Sequence, residues 1–110
     1  MTKHIDDTTF EAEVLRAEGP VLVDFYATWC PPCRELSPSI DELSAEFSGR
    51  AKVVKVNIDD ADQSAARHGI SAVPTLILFE HGEEVRRWVG LQSKTALAAA
   101  LEQRLPVGAR

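Results

Sequence analysis

Residues 21–27, Val-Leu-Val-Asp-Phe-Tyr-Ala, form an apolar run rich in β-branched and aromatic side chains, broken by one carboxylate. A half-buried strand alternates apolar and polar residues, whereas a run like this one marks a strand covered on both faces. Such a strand requires a layer of structure on each side, which restricts the chain to layered architectures. The run leads almost directly into Trp29-Cys30-Pro31-Pro32-Cys33.

The flanking segments provide the layers. A helical pattern starts near Asp7-Thr8, carries Phe10, Val14 and Leu15 on one face, and stops at Gly19-Pro20. A second runs from Pro32 to about Phe47 with Leu36, Ile40, Leu43 and Phe47 at three-to-four spacing, and Pro38 inside it should kink it. Lys52 to Ile58 reads as a strand, Ala61 to His68 as a short helix capped by Gly69, and Thr75–Glu80 with Glu83–Val89 as a hairpin turning at His81-Gly82. A last helix spans about Ser93 to Arg104, with Leu97 and Leu101 on its buried face. Strands alternating with helices pair in parallel, and the hairpin adds antiparallel strands at one side. The fold class is therefore α/β, a central mixed β-sheet flanked by helices on both faces. Residues 1–105 are expected to form a single domain, and 106–110 a short C-terminal tail.

At 110 residues with 45% hydrophobic side chains, the chain can build a core without a structural metal or disulfide. Its net charge of −5 disfavours nucleic acid or an anionic membrane as a standing partner, since both ask for a basic surface. The polar N-terminus lacks the apolar stretch of a secretory signal, and no segment is long enough to span a bilayer. A cytoplasmic location is expected.

The two cysteines lie three apart. A bridge over so short a loop restricts the unfolded chain little, so stabilisation is a poor explanation for the pair. In a reducing compartment such a pair is catalytic or metal-binding. As half a zinc site it lacks two ligands, and His4, His68 and His81 stand singly. The strand-to-helix junction favours redox chemistry. Unpaired N–H groups at a helix start stabilise a Cys30 thiolate, and Cys33 lies one turn on, where it can resolve a mixed disulfide. Pro31 and Pro32 stiffen the turn and remove two N–H donors, leaving that of Cys33. Asp24 is costly to bury ionised, so its pKa should rise unless it reaches solvent at the strand end.

The stretch Val23-Asp24-Phe25-Tyr26-Ala27-Thr28-Trp29-Cys30-Pro31-Pro32-Cys33-Arg34 closely resembles the active-site segment of the thioredoxin family. The similarity continues, in order and spacing, through Pro38, Lys55-Val56-Asn57-Ile58-Asp59, Gly69-Ile70, Val73-Pro74-Thr75-Leu76, Phe79, Gly82 and Val89-Gly90. The resemblance implies a thioredoxin-like fold and a protein-disulfide reductase with Cys30 as nucleophile and Cys33 as resolving thiol. It also implies Asp24 as general base for Cys33, with Lys55 beside that carboxylate. Lys55 is otherwise an ordinary solvent-facing strand residue. Pro74 is implied to follow a cis bond beside the cysteines, where the Val73 backbone could bind an extended substrate; its ordinary readings are edge strand or loop. Trp29, Pro31, Pro32, Val73, Pro74, Gly90 and Leu91 would form the docking surface. Trp88 is read as packing, and Arg34 and His81 as surface residues.

The same likeness implies no bound cofactor, a redox-active Cys30–Cys33 disulfide, and electrons from NADPH through a thioredoxin reductase. Partners would be that reductase and disulfide-containing proteins, with the chain acting as a monomer. Pro31, where many family members have glycine, and Tyr26, where a different aromatic is usual, depart from the common pattern. The first leaves the redox poise open. The competing readings are a more oxidising disulfide oxidase or isomerase, and a thioredoxin-like binding or chaperone module.

Overall fold

The computed structural model of the chain describes residues 2–106. Residues 107–110 of the expected tail lie outside the described residues. Five strands form one mixed sheet in the order β1-β3-β2-β4-β5: β1 (Lys3–Ile5), β2 (Val21–Tyr26), β3 (Lys52–Asn57), β4 (Thr75–Glu80) and β5 (Glu83–Val89). Strands β1, β3 and β2 run parallel, while β2–β4 and β4–β5 are antiparallel. The helices are α1 (Pro31–Glu46), α2 (Asp62–Arg67) and α3 (Lys94–Gln103).

Strand β2 is central, and its residues through Phe25 are buried. Alternation along it divides the core in two. Leu22 packs with Leu36, Ile40 and Leu43 of α1 and with Leu97 and Leu101 of α3. Val21, Val23 and Phe25 point the other way, onto Phe10, Val14 and Ala61. Helices thus cover both faces, as a doubly apolar strand demands. Pro38 lies inside α1 without ending it.

Two local readings differ from the structure. The segment expected as the first helix contains a π-type turn over Glu11–Leu15, with Arg16 N–H donating to the Glu11 carbonyl five residues back. Its start is capped by Asp6, whose carboxylate accepts the Thr8 N–H, rather than by Asp7 or Thr8. Asp7 instead accepts the Gln63 and Ser64 N–H groups and so caps α2. Strand β1 has no counterpart in the sequence reading, because three residues with Ile5 alone buried carry no periodicity. It exists through pairing with β3, from Lys3 opposite Val54 to Ile5 opposite Val56.

The hairpin turn packs against the π-type turn. His81 and Gly82 both have positive φ, +54° and +79°, the pairing that a two-residue hairpin of type I′ requires. A Cβ on Gly82 would lie 2.8 Å from the Leu15 carbonyl oxygen. Gly82→Ala is therefore expected to destabilise the fold by roughly 2 kcal/mol, combining backbone strain with a clash against a main-chain atom. Urea unfolding of the two proteins measures the difference, and Gly49→Ala, at positive φ but in open space, should cost less.

Candidate active site

The parallel strands β2 and β3 end on the same side of the sheet, and the site is assembled there. Cys30 is the N-cap of α1, with extended backbone angles (φ −99°, ψ 110°). Pro31 and Pro32 occupy the first two helical positions, so the first free N–H is that of Cys33, which donates to Cys30 Sγ at 3.2 Å. The sulfur thus sits where a serine or aspartate oxygen would cap a helix. Cys30 and Cys33 are joined as a disulfide, with Cα atoms 5.3 Å apart, in the ordinary range for such a bond. Cys30 is only 3% exposed.

The Val73–Pro74 peptide bond is cis, and Pro74 is buried. The Val73 carbonyl oxygen lies 3.6 Å from Cys30 Sγ, so this backbone borders the disulfide directly. The Gly90 N–H donates to the Pro74 carbonyl at 2.8 Å. Gly90 has φ +92°, with open space where a Cβ would stand, so backbone conformation is what calls for glycine. Trp29, 62% exposed, and Val73 line one groove of about 330 Å³ together with Ile58 and Ile70. Leu91 follows Gly90 and is also exposed.

Asp24 is fully buried, and neither carboxylate oxygen has a hydrogen-bond partner among the described residues. Burial pushes its pKa up to about 7, against a smaller downward pull from Lys55. The two face each other in strand register. Lys55 is itself buried, at 7% exposure, and donates to Ser37 Oγ at 3.0 Å. Lys55, Ser37 and Cys33 line a common cavity of about 230 Å³. Both solvent-facing alternatives, for Asp24 and for Lys55, are therefore corrected by the structure. A larger cavity of about 440 Å³, near Gly19, Gly49 and Lys52, lies at the far end of the sheet and contains none of these residues.

Sequence reasoning missed three contributors. Asp59 accepts the Trp29 indole N–H at 2.9 Å and fixes the ring, and its own N–H is held by Asn57 Oδ1 at 3.0 Å. The parallel exit of β2 and β3 from the sheet is the signal that could have found it, since their following loops must be neighbours. Ser37 and Tyr26 were also passed over as parts of the Lys55 environment. Arg34, expected on the surface, is exposed and donates to the Thr28 carbonyl, while Trp88 packs against the α1–α3 core.

The thioredoxin family model matches residues 1–103. The chain belongs to the thioredoxin family. It is 46% identical to thioredoxin 1 of Nostoc sp. over 101 residues, covering 92% of this chain and 94% of that protein. The thioredoxin of Synechocystis sp. is 45% identical over 94% of this chain and 97% of its own length. That of Haemophilus influenzae is 42% identical over 93% and 95%, respectively. With the Cys30–Cys33 pair, this membership makes the protein a thiol–disulfide oxidoreductase, a protein-disulfide reductase of the thioredoxin type. Among the described residues, no helix is long and apolar enough to cross a membrane, and no group of three or more His, Cys, Asp or Glu could hold a metal ion.

The thioredoxin Asp24 carries a stability cost that depends on pH. Its carboxyl titrates near 7 when folded and near 3.8 when unfolded. Below the lower value both states are protonated and nothing is lost. As pH rises toward 7 the unfolded chain ionises first, and folding loses up to ~4 kcal/mol, at about 1.4 kcal/mol per pH unit. Asp24→Asn should therefore be more stable than the parent at pH 8 and nearly equal to it at pH 4. Denaturant unfolding at the two pH values checks this, and an equal difference at both would contradict a buried neutral carboxyl.

Proposed function

We propose that this thioredoxin acts as a monomeric electron-pair carrier for cytosolic protein disulfides, with residues 1–105 as one domain. The carrying observation is Cys30 Sγ at the α1 N-cap, accepting the Cys33 N–H at 3.2 Å beside the Val73 carbonyl. In the reduced protein, that donor and the helix start favour the Cys30 thiolate over the thiol. The thiolate attacks one sulfur of a target disulfide, forming a mixed disulfide and expelling the other target sulfur as thiolate. Cys33 then loses its proton, attacks Cys30 Sγ and expels the second target thiol. Two electrons leave the protein as the Cys30–Cys33 disulfide forms.

Asp24 accepts the Cys33 proton. A carboxyl titrating near 7 suits a base working at neutral pH, and Lys55, its partner in strand register, shares a cavity with Cys33. Lys55 balances the charge when Asp24 is ionised. Docking is assigned to Trp29, Pro31, Pro32, Val73, Pro74, Gly90 and Leu91. The exposed indole and leucine are apolar contacts, and the Val73 backbone is the partner for an extended target strand. The disulfide is recharged by a thioredoxin reductase drawing on NADPH, and no bound cofactor takes part.

NADPH oxidation coupled through a thioredoxin reductase to a disulfide-bonded test protein measures the cycle. The parent protein should support turnover, and Cys30→Ser should reduce it to background. Cys33→Ser should accumulate a covalent adduct with the target, visible by mass under non-reducing conditions. Turnover that survives Cys30→Ser would overturn the redox reading in favour of a binding module. A reduction potential far above that of the glutathione pool would favour an oxidant instead.

A further inference from the structure

Lys55 is held by more than Ser37. Its Nζ lies 4.4 Å from the centre of the Tyr26 ring, over the negative face. The Tyr26 hydroxyl and His4 Nδ1 are hydrogen-bonded at 3.0 Å, and the two rings meet edge to face. Strand register produces this arrangement. His4 stands opposite Lys55, and Lys55 opposite Asp24, so three titratable side chains cross one face of the sheet in a row. Tyr26, two residues beyond Asp24, projects from the same face. The strand carrying His4 is tied in turn to α1, because the Thr2 N–H and hydroxyl both donate to Asp41 Oδ1.

We propose that Tyr26 is a positioning residue for Lys55 and His4 a positioning residue for Tyr26, the anchored ring keeping the ammonium between Asp24 and the Cys33 cavity. A lysine head is strongly hydrated and sits on a flexible stem, so with the Ser37 hydroxyl as hydrogen-bond partner and only the longer-range pull of Asp24 and Asp41 besides, it could turn to solvent. The aromatic face removes that option by offering a second, fixed contact for the charge. The catalytic consequence rests on the reading of Asp24 and Lys55 given above, whereas the contact itself does not.

Other groups near Asp24 do not substitute for Lys55. From α1, Cys33 and Arg34 share the Lys55 cavity, and Asp41, its carboxyl held low chiefly by the Thr2 bonds, also draws on the Lys55 charge. Burial chiefly, then Asp24 and, beyond β3, Asp60 disfavour ionisation of the Tyr26 phenol. Strand β4 places Leu76 opposite Asp24, and the buried face of α3 consists of Leu97, Ala100 and Leu101. Lys55 is the cation paired in register with the carboxylate, so displacing it should raise the Asp24 midpoint. The base would then remain protonated at neutral pH, and the Cys33 step would slow.

The test is a carboxyl NMR titration of Asp24 in the full-length oxidised protein, where the thiols do not titrate. Tyr26→Leu should raise the midpoint by ~0.5 pH unit, the scale of a cation–ring contact. The same substitution in a Lys55→Met background should add nothing, since the ring acts through the ammonium. His4→Ala, at an exposed position that should fold normally, is expected to give a smaller rise with the same dependence on Lys55. A midpoint that stays or falls in Tyr26→Leu, or an equal rise without Lys55, would overturn the proposal. Should Tyr26→Leu fail to fold, the His4→Ala pair decides on the same criteria. The pH profile of disulfide reduction by Asp24→Asn separates the two levels. An unchanged acid limb there sinks the general-base role while the titration still decides the positioning.

Discussion

Strand β2 has its two faces pressed against separate apolar cores, and the remainder of the molecule is arranged around that burial. One face sees α1 and α3, the other the π-type turn and the segment leading into α2. Parallel pairing with β3 and antiparallel pairing with β4 leave it no edge open to water. The last residues of such a strand have a well-defined exit direction. Here they deliver Cys30 to a helix N-terminus, where backbone polarity and a recessed sulfur meet.

That same burial turns Asp24 from an ordinary surface acid into a group that titrates near neutral pH. Its cost to the fold comes from desolvating the carboxylate, whose two oxygens have no hydrogen-bond partner among the described residues. That unpaired burial is what singles the carboxylate out for the proton-transfer role proposed above. The Lys55 ammonium opposes the cost without cancelling it, because its own contacts run to Ser37 and the Tyr26 ring rather than to Asp24 by a hydrogen bond.

Much of this is legible in the sequence. The apolar run fixed the layering, the prolines after Cys30 marked the helix start, and His81-Gly82 marked the hairpin. Asp24 was conspicuous because a single charge interrupts an apolar strand. What stayed hidden depends on pairing between distant segments. Strand β1 is too short to show a period, and its partner lies some fifty residues away. The contacts of His4 with Tyr26, of Tyr26 with Lys55 and of Trp29 with Asp59 follow from register and shared sheet ends, which local patterns do not encode. Asp7 was misassigned for a related reason, since a good capping residue does not declare which helix it caps.

The recess of Cys30 has a consequence for what the protein can act upon. A Cys30 that is 3% exposed, with the Val73 main-chain carbonyl 3.6 Å from its sulfur, is a poor match for a disulfide lying flat in a rigid surface. The target must offer a protruding segment, or unfold locally to produce one. Discrimination among clients then depends less on their sequence than on how readily each releases the chain around its own disulfide.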